Sequence, residues 1–186
     1  HTMLYINDRI SDFDLERAIA DLPPQRREKA MAFKSERDRR LSVAVYRLLC
    51  EALKQEFAIS EPPVFGYRQG GKPFLADWPE IHFSLSHCRQ AAACAIGLSP
   101  VGVDVETIRP FSEELARRVL NADELHSVVT SANPSAAFTR LWTMKESLLK
   151  LSGEGIRGPL ADVLSRNAHF HTVINSRAGY ICTLAE

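Results

Sequence analysis

The hexapeptide Val101-Gly102-Val103-Asp104-Val105-Glu106 constrains the chain more than any other stretch. Its valines alternate with other residues, which is the period of a strand, and β-branched side chains suit a pleated surface. Asp104 and Glu106 stand two apart, so they share the face opposite the valines. Two carboxylates that close repel unless a cation lies between them. One reading is the water-facing side of a half-buried strand. The other is a pair of ligands for something positive.

The surrounding pattern places this strand at a boundary. Met3 to Ile6 reads as a strand. Pro24 suits the first turn of a basic helix running to Phe33. A second helix is expected from Ser35 to Phe57, with Leu41, Val45, Leu48, Leu49, Ala52 and Leu53 as its apolar stripe. Gly70-Gly71-Lys72-Pro73 is a turn, and Ile81–Leu85 and Ala91–Leu98 read as strands around a loop at Ser86-His87-Cys88-Arg89. Ser99-Pro100 breaks the chain. Helices follow over Ser112–Leu120, Ala122–Val129 and Pro134–Leu151, the last ended by Gly153, Gly155 and Gly158-Pro159. Strand candidates at 162–165, 168–174 and 179–184 close the chain. Helices then strands, twice over, predict an α+β fold of two halves, 1–99 and 100–186.

Composition narrows the function. The chain has 186 residues, with 23 Lys plus Arg against 23 Asp plus Glu, so no global basic field recruits nucleic acid or an anionic membrane. No apolar run reaches membrane-spanning length and no signal-peptide pattern opens the chain. His1-Thr2-Met3 reads as a remnant before a start at Met3. Cys50, Cys88, Cys94 and Cys182 form no CxxC pair and read as free thiols, which favours a reducing, cytoplasmic setting. His169-x-His171 reads as an exposed strand pair rather than a metal site.

The stretch Leu141 to Lys150, LWTMKESLLK, adds a third acid. Glu146 and Lys150 are four apart on a helix with the acid first, the favourable order for an ion pair. As a surface pair it contributes only a few tenths of a kcal/mol. With Asp104 and Glu106, however, Glu146 completes an oxygen-only set of the kind magnesium uses with phosphate substrates. The first half supplies cations on helices (Arg26, Lys29 and Arg40), Lys72 in a glycine turn, and Ser86-His87 at a strand end. Together they describe a metal–polyphosphate cleft at the junction.

These motifs are recognisable. VGVDVE followed by WTMKESLLK resembles the signature of the 4′-phosphopantetheinyl transferases, (I/V)-G-(I/V)-D-(I/V)-E and then W-(S/T)-x-K-E-(S/A)-x-x-K. PQRREK (24–29), GKPFL (71–75), FSLSH (83–87), NADE (121–124) and the tail GYICTLAE fall in the family's order. The chain is similar to the longer, pseudo-dimeric surfactin-synthetase-activating type, with two similar α/β halves and the active site at their junction. It does not resemble the trimeric holo-acyl-carrier-protein synthase type, whose chains are far shorter.

The resemblance implies that coenzyme A donates its phosphopantetheine arm to a serine of an apo acyl or peptidyl carrier protein, releasing adenosine 3′,5′-bisphosphate. It implies Asp104, Glu106 and Glu146 as ligands of magnesium, or manganese. It implies Lys150 as a phosphate contact that assists proton transfer, and Glu124 as base or water-mediated metal partner. Arg26, Lys29 and Arg40 match the 3′-phosphate contacts, Gly71, Lys72 and Pro73 the adenine-side turn, and Ser86 and His87 contacts to the phosphates. Leu41 stands where many relatives carry a further basic residue. Phe111–Arg118 and Asn121–Asn133 are candidate surfaces for carrier docking. With both half-sites in one chain, a monomer is expected.

Rival readings account for less. A magnesium-dependent nuclease wants a lysine two residues after its second acid, which DVET lacks, and zero net charge leaves no DNA footprint. A module that only binds coenzyme A or a carrier protein, or an interaction scaffold, has no use for the acids and Lys150.

Overall fold

The computed structural model describes residues 2–153 and 160–186. The first half runs β1 (Thr2–Asn7), α1 (Leu15–Ala20), α2 (Pro24–Met31), α3 (Glu36–Phe57), β2 (Phe65–Tyr67), β3 (Pro73–Leu75), β4 (His82–His87) and β5 (Ala92–Gly97). The second runs β6 (Gly102–Thr107), α4 (Glu113–Val119), α5 (Ala122–Val129), α6 (Pro134–Ser152), a 3-10 helix (Leu160–Ser165), β7 (Phe170–Asn175) and β8 (Tyr180–Ala185). The α+β class expected from the sequence is the class observed.

Helix boundaries follow local chemistry. Ser35 caps α3 by accepting from Asp38 N, and Ala58 closes it in the left-handed region at φ 54°. Asn133 caps α6, Pro134 occupies its first turn, and Gly153 ends it at φ 73°. Gly155 and Gly158-Pro159 lie outside the described residues. The predicted stripe of α3, from Leu41 to Leu53, is buried against Phe83, Cys94 and Ile96 of β4 and β5.

Three expectations are corrected. Ser86 and His87 belong to β4, not to a loop, because His87 still pairs with Ala92 across the β4–β5 hairpin. Residues 162–165 form part of the 3-10 helix rather than a strand; Val163 packs on Leu148 and Leu149 of α6 instead of entering a sheet. Helix α1 and the β2–β3 hairpin are absent from the sequence expectation, each element being only three to six residues long.

Two antiparallel sheets organise the chain, ordered β1-β5-β4 and β6-β8-β7, beside the small β2–β3 hairpin. In each, the first strand pairs with the last and the last with the one before it. The sheets meet where β4 runs beside β6, and serine side chains stand in for the missing ladder there. Ser84 Oγ accepts from Val103 N and Ser86 Oγ from Val105 N, both at 3.0 Å. The apolar side is continuous across the seam, since Ala91, Ala93 and Ala95 pack with Val101, Val103, Val105 and Cys182. The four cysteines are free thiols. Among the described residues no helix is long and apolar enough to cross a membrane.

Candidate active site

Gly102 is where the site is assembled. A Cβ on Gly102 would collide with the backbone of α6, at Ser147 O and Leu151 N. Without it the helix lies directly on β6, which brings Lys150 over the acid strand. Lys150 Nζ stands 3.5 Å from Asp104 Oδ1 and 3.4 Å from the Leu85 carbonyl of β4. The expected Glu146–Lys150 pair along the helix gives way to this contact between elements.

Asp104 is 4% exposed. Its Oδ1 also accepts from Ser86 Oγ at 3.3 Å, whereas its Oδ2 is buried with no hydrogen-bond partner among the described residues. Burial pushes the Asp104 carboxyl up to about 8; Lys150 opposes that shift, and Glu106 and Glu146 add to it. Glu146, half-buried, is pushed upward by burial and by Glu106, against Lys150. Glu106 accepts from Trp142 Nε1 at 3.1 Å, so the motif tryptophan aims an acid. Phe138 stacks on that tryptophan at 6.3 Å.

The three acids therefore influence one another, as their placement on β6 and α6 requires. Among the described residues, though, no group of three or more His, Cys, Asp and Glu side chains is arranged to hold a metal ion. The donor set suits a hard divalent cation. It is all carboxylate, it carries repulsion that a cation would relieve, and it includes a buried oxygen that none of the described residues satisfies.

A cavity of about 380 Å³ opens beside the acids, lined by the Gly70–Pro73 turn, Ser84, Leu85, Glu146 and Lys150. Gly70 and Gly71, at φ 96° and 92°, make the turn that reaches it. The Lys72 ammonium is spent elsewhere, donating to the carbonyls of Lys150 at 2.8 Å, Val101 at 3.0 Å and Leu151 at 3.3 Å.

The remaining predicted residues separate. Arg26 and Lys29 line a second cavity of about 550 Å³ with Tyr46 and Phe65. Arg26 donates to the Ser42 carbonyl at 3.0 Å and lies over the Tyr46 ring, and its Nε is buried without a partner among the described residues. Burial lowers the pKa of both, and Arg26 adds to the effect on Lys29. His87 is exposed at the end of β4, yet partial loss of water around its ring lowers its pKa. Lys150 and Arg26 lower it further while Asp38 opposes, so His87 feels the charge of both cations.

Arg40 is not with Arg26. Two residues before Ser42, it points to the opposite side of α3. There it donates to the carbonyls of Phe13 at 2.6 Å and Ile10 at 3.2 Å, stapling the segment before α1. Leu41 is a core residue.

Glu124 is placed by its helix rather than by the cavity. With Asn121 it forms the capping box of α5. Its Oε1 also lies 2.7 Å from the ammonium of Lys145, which is fully buried and donates to the carbonyls of Val119, Leu160 and Ala161. Sequence reasoning missed Lys145; its signal was a lysine on the apolar side of α6, beside Leu148 and Leu149.

Comparison with known proteins gives the site a family. The family model of the 4′-phosphopantetheinyl transferase superfamily matches residues 100–183. The chain is 28% identical over 160 residues to 4′-phosphopantetheinyl transferase Sfp of Bacillus subtilis (strain 168), covering 84% of this chain and 71% of that one. It is 30% identical over 164 residues to 4′-phosphopantetheinyl transferase psf-1 of Bacillus pumilus, covering 84% and 70%. Over 100 residues it is 38% identical to 4′-phosphopantetheinyl transferase HetI of a Nostoc species, covering 50% and 42%. A match running through both the acid strand and the Lys150 helix, at 30% identity over 70% of a relative, means that the chain belongs to the 4′-phosphopantetheinyl transferase superfamily, alongside relatives of the Sfp type.

Proposed function

We propose that this chain transfers the 4′-phosphopantetheine group of coenzyme A to a serine hydroxyl of an apo carrier protein. The observation that carries the reading is the junction of Asp104 and Lys150, a buried carboxylate whose Oδ1 meets the ammonium while its Oδ2 has no partner among the described residues, beside a cavity that Lys150 lines. In the reaction, a bond forms between the serine oxygen and the phosphorus of the pantetheine phosphate. The bond from that phosphorus to the oxygen shared with the adenosine phosphate breaks, and adenosine 3′,5′-bisphosphate leaves.

Asp104, Glu106 and Glu146 would hold magnesium, or manganese, which when bound neutralises charge on the diphosphate oxygens. Lys150 reaches the same place from the other side and offers a positive charge to the transferred phosphoryl group. Trp142 orients Glu106, and Ser86 orients Asp104. The Gly70–Pro73 turn receives the nucleotide side of coenzyme A, Arg26 and Lys29 form a positive surface for its remaining phosphate, and His87, neutral there, offers a ring N–H. Arg40 acts at a distance, by holding the segment before α1. Because Glu124 is committed to Lys145 and Asn121, the serine proton passes to a carboxylate of the acid row.

We read the matching strand orders of 1–99 and 100–186 as a pseudo-dimer, and the chain as a cytoplasmic monomer with its site between the halves. The carrier approaches over α4, α5 and the Glu106 side. A module that only binds coenzyme A is not favoured, because binding alone does not require the acid row. The test is the intact mass of an apo acyl carrier protein after incubation with this chain, coenzyme A and magnesium, with EDTA as control. A gain of one phosphopantetheine that EDTA abolishes is the expected result. No gain with any of several acyl and peptidyl carriers, while coenzyme A still binds, would sink the proposal.

A further inference from the structure

Lys72 lies in the turn that lines the cavity, yet its charged end faces away from it. The stem passes Gly153 at the end of α6, where a Cβ would lie 3.5 Å from Lys72 Cδ. The ammonium then meets the carbonyls of Val101, Lys150 and Leu151. An ammonium has three protons, and three carbonyls are placed to take them. Two of these carbonyls belong to the last turn of α6, where helix oxygens lack intrahelical partners and a cation is favoured. The third belongs to the residue that leads into β6. One side chain of the first half therefore ties together the end of the helix that carries Lys150 and the start of the strand that carries Asp104.

Lys150 depends on that tie. It approaches Asp104 only because α6 is held at one height and one rotation on β6. Gly102 permits the close approach, the Lys145 network holds the middle of the helix, and a charge on the carbonyl of Lys150 itself holds its end. The turn is rigid, with Gly71 N donating to the Arg68 carbonyl and Arg68 N to the Lys72 carbonyl, both at 2.9 Å. A ligand against Gly70 and Gly71 would therefore bear, through Lys72, on the backbone of Lys150.

We propose that Lys72 is a positioning residue, which couples occupation of the cavity to the placement of Lys150 and does not itself contact the phosphates. The inference rests on the transfer reading above for its kinetic part. It is tested with Lys72→Met and Lys72→Arg in the full chain. The rate with apo acyl carrier protein, the affinity for coenzyme A by calorimetry and the Cε signal of Lys150 in a carbon-13 lysine-labelled sample are measured well below the melting temperature.

For Lys72→Met, kcat falls by roughly tenfold or more, the loss expected when a reacting group is displaced by about an ångström. The affinity for coenzyme A changes by less than about threefold, the Lys150 signal shifts, and Lys72→Arg recovers part of the rate. A tie that only stabilised the fold would lower the melting temperature and leave kcat and the Lys150 signal alone, which would overturn the proposal. So would a large loss of coenzyme affinity with kcat intact at saturation, the mark of a ligand contact. Should Lys72→Met not fold, Lys72→Arg carries the same test, because its planar fork cannot copy three ammonium bonds. If the wild-type chain binds coenzyme A but modifies no carrier, the transfer reading falls, and the Lys150 signal and the coenzyme affinity still decide the role of Lys72.

Discussion

The ammonium of Lys145 and the carboxylate of Glu124 meet at 2.7 Å with Lys145 wholly out of water, and this pair fixes the helix that carries Glu146 and Lys150. Around it the end of α4 and the start of the 3-10 helix converge through the carbonyls of Val119, Leu160 and Ala161, and α5 joins them through the Glu124 side chain. Removing one partner of such a pair leaves an uncompensated buried charge. Glu124→Ala is expected to lower stability by about 3–5 kcal/mol, and Glu124→Gln, which keeps an acceptor for Lys145, by clearly less. Denaturant melts check this. Glu124→Gln is expected to retain much of the transfer rate; abolition of transfer with an unchanged melt would make Glu124 the base after all.

Asp104 predicts a pH dependence. Burial first, then Glu106 and Glu146, raise its folded-state pKa to about 8, against Lys150. The folded chain thus holds the proton more tightly than the unfolded chain, whose aspartate titrates near ~4. Stability from this group is full below that value and is lost as pH climbs through about 8. In EDTA, wild type should melt at progressively lower temperature from pH 5 to pH 9, and Asp104→Asn should show a smaller decline. The same variant should transfer nothing. Parallel melting curves for the two proteins across that range would remove Asp104 from the account.

Trp142→Phe separates aiming from packing. The ring stack with Phe138 survives while the donor to Glu106 is lost. Loss of a group that orients a metal ligand typically weakens metal affinity or activity by about 10–100-fold. A rise in the magnesium concentration needed for half-maximal transfer, with little change in the melt, is the expected outcome. An unchanged magnesium requirement would leave the tryptophan a packing residue only.

Gly102→Ala tests the contact on which the site is built. The new methyl meets α6 backbone rather than a side chain that can turn aside. Overpacking of this sort is expected to cost at least about 1–3 kcal/mol. Transfer should fall further than stability explains, because α6 must lift and carry Lys150 away from Asp104. Calorimetric melts and initial rates on the same preparation check both parts; wild-type values for both would mean that the helix yields freely.

Much of the fold was legible because local chemistry and global packing agree. The valine alternation of 101–106 and the capped, amphipathic run of 36–57 state their own period, and both elements stand where the pattern puts them. Helix α1 was not legible from six residues, although Asp14, which caps it, was the available signal. Residues 162–165 carry a strand-like composition, and packing on Leu148 and Leu149 overrode it.

Within the candidate site, the sequence alone determined that Asp104 and Glu106 share a face and that Glu146 and Lys150 share a helix, because both follow from backbone periodicity over a few residues. Only the tertiary structure decided what each charge meets. Lys150 turned from its helix neighbour Glu146 to Asp104, Lys72 from the cavity to three carbonyls, Glu124 to Lys145, and Arg40 away from Arg26. A buried charge takes the partner that replaces its lost water. Here those partners lie across a sheet seam and a helix end, on segments distant in the chain, so no local pattern in the sequence records them.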